Sequence, residues 1–207
     1  KFQLKTALSL IRQHTNIGDT VVVFLDGIGA IEELYYMFCN LSKRYHCVIL
    51  HSTVYQQYQQ SDENIFVCPP DKVLVVLATD IAETSITIPN ASLIIDTAVH
   101  RRLEKSAVGM QLKTHWVSNT SLIQRAGRTG RTCPGTVWRL IPKKLLATLS
   151  DFELPASRTL PITNVILRIK QSTEPRLTTS IILDFYNGPS KEDIKDGFQK
   201  LYKEKFI

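Results

Sequence analysis

Four short apolar runs rich in β-branched residues constrain the fold of this chain more than any other feature. They occupy residues 20–25, 46–50, 72–78 and 93–96. Nearly continuous apolar runs of this length are typical of strands that are buried on both faces, as in a parallel sheet. The first run leads through a Gly-containing turn at 26–29 into a helical pattern with Ile31, Leu34 and Phe38 on one side. The sequence therefore predicts an α/β fold with a parallel sheet flanked by helices.

The charge of the chain is distributed unevenly. Residues 1–100 hold 6 Lys and Arg against 10 Asp and Glu, whereas residues 101–207 hold 19 against 9. A basic block that follows an acidic half indicates a polyanionic partner, and the charge alone does not distinguish a nucleotide from a nucleic acid. No run of about 18 apolar residues is present, so no membrane partner is expected.

The basic half contains a segment, residues 122–131, in which Arg125, Arg128 and Arg131 recur every three residues. On a helix, this spacing would place the three guanidinium groups near one face. Guanidinium groups bind phosphate well because they stay charged and present a planar fork of donors. A solvated, positively charged helix end is the ordinary alternative. Because ordinary surfaces mix both signs of charge, the row favours a phosphate-binding site.

Three motifs in the chain resemble those of superfamily 2 helicases. Residues 124–131, Gln-Arg-Ala-Gly-Arg-Thr-Gly-Arg, resemble motif VI, with Thr129 where Ala is usual. Residues 78–88, Ala-Thr-Asp-Ile-Ala-Glu-Thr-Ser-Ile-Thr-Ile, resemble motif V of the DEAH-box/RNA helicase A-like branch, with Asp80 where Asn is usual. Residues 23–27 resemble motif IV, with Asp26 where Pro or Thr is usual. The resemblance implies the second RecA-like domain, the helicase C-terminal domain, of an RNA helicase.

The resemblance also implies roles for individual residues. The residues expected to reach the nucleotide phosphates and act in catalysis are Gln124, Arg128 and Arg131. The other expected nucleotide-binding residues are Phe66, Glu83, Thr84, Ser85 and Asn90. The expected RNA-binding residues are Gly27, His51, Ser52, Thr79, Arg101, Arg102 and Lys105. Ordinary alternatives are core packing for Phe66, a tight turn for Gly27 and solvated edge-strand charges for the basic residues at 101–105.

Two further elements are expected near the basic half. Residues 99–105 and 110–114 read as a β-hairpin, and the resemblance implies a hairpin that separates nucleic-acid strands. Ser190 and Asp193 form a capping box that begins a helix. This helix resembles the start of a winged-helix module. The expected domains are therefore 1–172, RecA-like, and 173–207, an incomplete winged helix. Residues 174–176 and 189–190 also weakly resemble tudor-bearing germline helicases such as Spindle-E.

The chain has no Gly-x-x-x-x-Gly-Lys-Ser/Thr loop and no Asp-Glu-x-His box. We therefore expect ATP or another NTP, with Mg²⁺, to be bound jointly with a first RecA-like domain. Because the chain also begins without Met, we expect that domain to belong to a longer protein. The expected partners are RNA, that domain and possible protein cofactors. Four cysteines without metal-binding spacing predict reduced thiols, no metal site of its own and an intracellular location, cytoplasmic or nuclear. The alternative to an active helicase is a degenerate module that serves as an RNA or protein scaffold.

Overall fold

The computed structural model describes residues 2–41, 43–54, 64–84, 86–106, 109–131, 133–154, 162–172, 182 and 188–207. The chain divides into two compact units. The first comprises Lys1–Arg101 and Thr114–Glu153, and the second comprises Arg102–Lys113 and Leu154–Ile207. Each unit has its own hydrophobic core.

The first unit is built on a parallel sheet of five strands. The strands are β1 (Thr20–Phe24), β2 (Tyr45–Leu50), β3 (Val73–Ala78), β4 (Ala91–Asp96) and β7 (Thr136–Arg139), in the order β2-β3-β1-β4-β7. The helices are α1 (Phe2–His14), α2 (Ile28–Cys39), α3 (Ile81–Thr84), α4 (Asn119–Ala126) and α5 (Lys143–Leu146). The predicted α/β fold with a parallel sheet and flanking helices is confirmed.

The central strands are buried throughout, as their composition predicts. Every residue of β1 and β3 is buried. The side chains of these strands pack into two hydrophobic cores, one on each face of the sheet, because successive residues of a strand point in opposite directions. Residues of α1 and α2 complete one core, and residues of the segment after β3 and of the 64–68 region complete the other.

The strand register aligns the carboxyl ends of four strands. Phe24 lies opposite both Ala78 and Asp96, and Leu50 also lies opposite Ala78. The residues that follow β1, β2, β3 and β4 therefore emerge at one edge of the sheet. In open α/β sheets this edge is where ligands bind.

The arginine segment does not form one helical row, and this part of the sequence prediction is wrong. Helix α4 begins after Ser118, whose side chain accepts a 3.2 Å hydrogen bond from the backbone N–H of Ser121. The helix ends at Ala126, and Gly127 is its C-cap. Arg125 is therefore the one arginine of the three on the helix. The other two lie in the turn that follows, because glycine commonly ends helices.

The described residues of the second unit include one end of a hairpin and the helices α6 (Ile162–Ser172) and α7 (Lys191–Lys203). Strands β5 (Val99–Ser106) and β6 (Gly109–Trp116) pair in a two-stranded sheet, which confirms the predicted hairpin. The beginning of β5, up to Arg101, and the end of β6, from Thr114, belong to the first unit. Helices α6 and α7 pack through a small core that includes Ile166 and Leu201. Helices α6 and α7 therefore belong to the same unit, whereas the sequence predicted a domain boundary between them, at residue 172.

Helix α7 begins with the predicted cap. The Ser190 hydroxyl oxygen accepts a 3.0 Å hydrogen bond from the backbone N–H of Asp193, and the hydroxyl donates to the Asp193 carboxylate at 2.7 Å. Gly197 then faces α6, since a Cβ at this position would lie 2.6 Å from Ile162 Cγ2 and 2.9 Å from Ile166 Cδ1. The absence of a side chain lets the two helices approach closely. The assignment of 173–207 as a winged helix stays a prediction, because 173–181 and 183–187 are outside the described residues.

Candidate nucleotide and nucleic-acid interface

A fully buried arginine organises the sheet edge where the two main motifs meet. Arg125 Nη1 donates a 2.8 Å hydrogen bond to Asp96 Oδ1, at the end of β4, and Arg125 Nε donates a 3.2 Å bond to Glu83 Oε2 on α3. The guanidinium lies 5.0 Å from the centre of the Phe24 ring. Two carboxylates and an aromatic face thus compensate the desolvated cation. Arg125 therefore ties α4 to α3 and to the sheet.

Glu83 joins the same two helices through its other oxygen. The Ser121 hydroxyl donates a 2.7 Å hydrogen bond to Glu83 Oε1, and both side chains are buried. Both carboxylate oxygens of Glu83 are therefore bound within the protein. In this structure Glu83 acts as a positioning residue between the motif V and motif VI segments. The predicted contact between Glu83 and nucleotide stays a prediction.

Arg128 lies in the turn after α4 and reaches back to the segment after α3. Its Nη1 donates a 3.1 Å hydrogen bond to the carbonyl of Ile86, and its Nη2 donates to the carbonyl of Glu83. Its Nε is buried and has no hydrogen-bond partner within the described part of the chain. Burial lowers the pKa of Arg128, the positive charge of Arg131 lowers it further, and Glu83 opposes both effects. Two cations held together in this way favour an anion between or beside them.

The remaining two predicted catalytic residues are exposed beside Arg128. Gln124 occupies the solvent side of α4. Arg131 is exposed, and its Nε donates a 3.0 Å hydrogen bond to the carbonyl of Gly127. The structure thus places Gln124, Arg128 and Arg131 at the carboxyl end of one short helix and its following turn. Their contacts with nucleotide stay predictions.

Thr129 has a local structural role that the motif did not indicate. Its hydroxyl donates a hydrogen bond to the carbonyl of Ala91, at the start of β4. A Cβ at Gly135 would lie 1.7 Å from the Thr129 oxygen, so the glycine provides the space that this hydroxyl occupies. Thr129 therefore anchors the arginine turn to the sheet.

The other predicted nucleotide-binding residues lie in two places. Phe66 is partly buried and packs against the core on one face of the sheet, which agrees with the ordinary alternative of core packing. Thr84 and Asn90 are exposed, and Asn90 has a φ of 51°, a left-handed conformation that asparagine tolerates well. Ser85 lies outside the described residues. No nucleotide contact of this set is tested by the structure.

Several predicted RNA-binding residues follow the aligned strand ends. His51 and Ser52 follow β2, and His51 Nδ1 lies 2.8 Å from the Thr53 hydroxyl oxygen. Thr79 follows β3 and is buried, and its backbone N–H donates a 3.1 Å hydrogen bond to the carbonyl of Leu50. Gly27 follows β1 and is the N-cap of α2. These four residues share one edge of the first unit.

The predicted basic residues of the hairpin differ in their contacts. Arg101 lies at the base of the hairpin, 42% exposed, with its Nε 3.4 Å from Asp26 Oδ2. In the second unit, Arg102 Nη2 lies 3.2 Å from Glu104 Oε1, and Lys113 Nζ lies 3.7 Å from Glu104 Oε2. Glu104 thus pairs with cations of both strands. The side chain of Lys105 lies outside the described residues.

Sequence reasoning missed the central role of Arg125 and Asp96. A signal was present, because Asp96 ends an apolar run and a carboxylate at such a position needs a partner when the strand is buried. Asp96 is fully buried, and its Oδ1 also accepts a 2.8 Å hydrogen bond from the backbone N–H of Ala98. The partner could not be identified from spacing, since Arg125 lies 29 residues further along the chain.

The described residues contain no group of three His, Cys, Asp or Glu side chains placed to hold a metal ion. Among the described helices, none has the length and apolar character needed to cross a membrane. All four cysteines are free thiols.

Comparison with known proteins agrees with this geometry. The helicase conserved C-terminal domain family matches residues 3–133. The chain is 33% identical over 190 residues to ATP-dependent RNA helicase TDRD9 of Mus musculus, which covers 88% of this chain and 13% of the relative. It is 32% identical over 190 residues to probable ATP-dependent RNA helicase spindle-E of Culex quinquefasciatus, covering 86% of this chain and 13% of the relative. The predicted similarity to Spindle-E-like proteins agrees with these two matches.

A solved structure shows the same fold. The crystal structure of the E. coli DExH-box NTPase HrpB superposes with a TM-score of 0.70 at 22% sequence identity, covering 95% of this chain and 27% of that chain. The chain thus spans about an eighth of the length of the curated relatives and about a quarter of the solved structure. The predicted RecA-like fold is confirmed by this match. From its motifs, its sheet and the matched residues, the chain belongs to the helicase conserved C-terminal domain family.

Proposed function

We propose that this chain is the second motor domain of an ATP-dependent RNA helicase and that it hydrolyses ATP only together with a first RecA-like domain. One observation carries the proposal: Arg128 and Arg131 lie together in the turn that follows α4, where Arg128 also donates hydrogen bonds to the carbonyls of Glu83 and Ile86. Relatives named as ATP-dependent RNA helicases support the same activity. ATP and RNA are the proposed substrate and ligand.

The proposed chemistry is phosphoryl transfer from ATP to water. Arg128 and Arg131 neutralise the charge that develops on the transferred phosphate, as arginine fingers do in other enzymes. Gln124, exposed one turn before them, orients the phosphate or the attacking water. Mg²⁺ would supply positive charge that neutralises the phosphates, and its protein ligands are proposed to come from the preceding domain. Phe66 remains a proposed contact to the base and Asn90 to the ribose. Glu83, Thr84 and Ser85 remain proposed nucleotide-binding residues.

The buried network gives a physical route from nucleotide to RNA. Arg125 and Glu83 lock α4 to α3, so the arginine turn and the segment after β3 move as one body. Thr79 precedes α3 at the sheet edge where RNA is proposed to bind. A change in the phosphate contacts of Arg128 would therefore reach the RNA contact at Thr79 through paired side chains rather than through a flexible loop.

The experiment compares RNA-stimulated ATP hydrolysis by the full-length protein with that of a double variant, Arg128→Ala with Arg131→Ala. We expect hydrolysis to fall by roughly 10³-fold or more, the lower end of the effect of removing an arginine finger. Arg12→Ala, which removes an exposed arginine on α1, is the matched control and should hydrolyse ATP at the wild-type rate. Equal rates for the double variant and the wild type would contradict the catalytic assignment.

A scaffold function is the second candidate, and one observation favours it. Asp80 places an exposed carboxylate directly after β3, at the sheet edge where RNA phosphates are proposed to bind. A protein that bound RNA in a salt-dependent manner but showed no ATP hydrolysis, with or without RNA, would support the scaffold. The proposed partners are RNA and the first RecA-like domain, with protein cofactors as a further possibility. The proposed location is intracellular, cytoplasmic or nuclear, in agreement with four free thiols.

A further inference from the structure

One carboxylate at the end of β1 contacts both strands of the hairpin. Asp26 Oδ2 lies 3.4 Å from Arg101 Nε on β5. The same oxygen accepts a 3.2 Å hydrogen bond from the Thr114 hydroxyl on β6. Arg101 and Thr114 form the base of the hairpin and belong to the same compact unit as Asp26. A single side chain thus joins the central strand of the sheet to both strands of the hairpin.

Gly27 makes room for this contact. A Cβ at Gly27 would lie 3.3 Å from Arg101 Cδ, closer than side chains ordinarily pack, and 3.5 Å from its Nε, an ordinary contact distance. The missing side chain therefore lets Arg101 lie directly on the loop between β1 and α2. Asp26 therefore supplies the charge that pairs with Arg101, and Gly27 supplies the space that the Arg101 side chain occupies.

The position of the contact separates it from the proposed catalytic groups. Within the described residues, Asp26 contacts Arg101 and Thr114, whereas Arg128 contacts the carbonyls of Glu83 and Ile86. The Asp26 side chain is 20% exposed and its charge is neutralised by Arg101. A carboxylate held in this way restrains the base of the hairpin, because it contacts β5 and β6 at once.

We propose that Asp26 is a positioning residue for strand separation, which clasps the base of the hairpin through Arg101 and Thr114. The proposal rests on the proposed function, because the hairpin separates strands only in a working helicase. The clasp acts on unwinding and not on hydrolysis, since its atoms touch the hairpin and not the arginine turn. It also gives a reason for a carboxylate where motif IV of the family has Pro or Thr.

The test measures duplex unwinding and RNA-stimulated ATP hydrolysis in parallel on the full-length protein. Asp26→Asn keeps an oxygen acceptor for Thr114 but removes the charge that holds Arg101. Thr114→Val keeps the shape of the side chain but removes the hydroxyl. We expect each variant to lower the number of base pairs opened per ATP hydrolysed by about three- to tenfold, the effect of losing one partly exposed ion pair or hydrogen bond.

The two substitutions remove different contacts of one residue. The double variant should therefore lose more than either single variant. Asp71→Asn removes an exposed carboxylate from another loop and serves as the matched control, with wild-type unwinding. Hydrolysis should stay within about twofold of wild type in Asp26→Asn and Thr114→Val, since neither residue contacts the arginine turn.

The results distinguish a failure of the role proposed for Asp26 at the hairpin base from a failure of the proposed function. Unwinding by Asp26→Asn at the wild-type yield per ATP, in a protein that hydrolyses ATP normally, would overturn the clasp alone. Tighter RNA binding by Asp26→Asn with unwinding that rises in proportion would also overturn it, because Asp26 would then act only as a charge that repels RNA. A wild-type protein that neither hydrolyses ATP nor unwinds would overturn the proposed function and the strand-separation role with it.

Discussion

Replacement of Arg125 by methionine would leave two carboxylates facing each other in the protein interior. Arg125 is fully buried, with its nitrogens 3.2 Å from Glu83 and 2.8 Å from Asp96, and Asp96 is itself fully buried. Removing one member of a buried ion pair costs about 3–5 kcal/mol, because the remaining charge has no compensation. Because two carboxylates lose their partner, we expect the loss of stability to lie in the upper half of that range, about 4–5 kcal/mol. Since domains are stable by about 5–15 kcal/mol, the variant would be close to unfolding.

Urea denaturation of the chain, followed by circular dichroism, measures this free energy of unfolding. Arg131→Met is the matched control, because Arg131 is exposed, and it should change stability by less than about 0.5 kcal/mol. A triple variant that adds Glu83→Gln and Asp96→Asn to Arg125→Met should recover at least half of the loss, since no buried charge then remains. A loss below about 1 kcal/mol for Arg125→Met, or a triple variant no more stable than the single one, would refute the account of this network.

Two further predictions concern packing and thiol chemistry. Gly197→Ala should destabilise the chain by about 1–2 kcal/mol in urea, because the added methyl overlaps Ile162, whereas Gly29→Ala meets no atom within 4 Å and should be neutral or slightly stabilising; equal effects would contradict the close helix packing. Burial raises the pKa of the Cys47 thiol to about 12, so iodoacetamide at pH 8 should modify exposed Cys39 well before Cys47. Because the unfolded thiol ionises near pH 8.5 while the folded thiol stays protonated, stability should fall between about pH 9 and 12, and Cys47→Val should remove that fall as monitored by thermal denaturation.

The sheet could be predicted from sequence because burial on both faces leaves a local signature. Continuous β-branched runs identified β1 and β3, and the structure buries every residue of both strands. The alignment of Phe24 with Ala78 and Asp96 could not be predicted in the same way, since register depends on contacts between strands. The general location of the site could therefore be predicted, because ligands bind at the carboxyl ends of the strands in open α/β sheets. The individual side-chain contacts at that edge could not be predicted.

The arginine segment shows why periodicity alone misassigned part of the site. A spacing of three places Arg125, Arg128 and Arg131 on one helix face only if the helix continues, and α4 ends at Ala126. Once the helix ends, the first arginine points into the core and the other two lie in a turn. The glycine after Ala126 was a usable stop signal. The inward direction of Arg125 could not be inferred, because its partner Glu83 lies 42 residues earlier in the chain.

The departures from the helicase motifs bear on whether the parent protein is a working motor or a degenerate scaffold. A sequence that drifts without function has no reason to pair an unusual residue with a fitting neighbour. Thr129 donates to the carbonyl of Ala91 and occupies space that only a glycine at 135 leaves open. Asp26 contacts Arg101 and Thr114.

Two of the three unusual residues are thus accommodated by specific contacts, and nothing in the structure explains Asp80. Such contacts keep the arginine turn and the hairpin base in place, which a motor requires and a scaffold does not. These contacts agree with the proposed helicase function. Thr129→Ala tests this argument directly: with the anchor to β4 removed, RNA-stimulated hydrolysis by the full-length protein should fall by about three- to tenfold, the effect of one lost hydrogen bond at a positioning residue, with the fold intact by circular dichroism. Wild-type hydrolysis by this variant would show that the contact does not support catalysis, and the preference for a motor would then depend on the arginine turn alone.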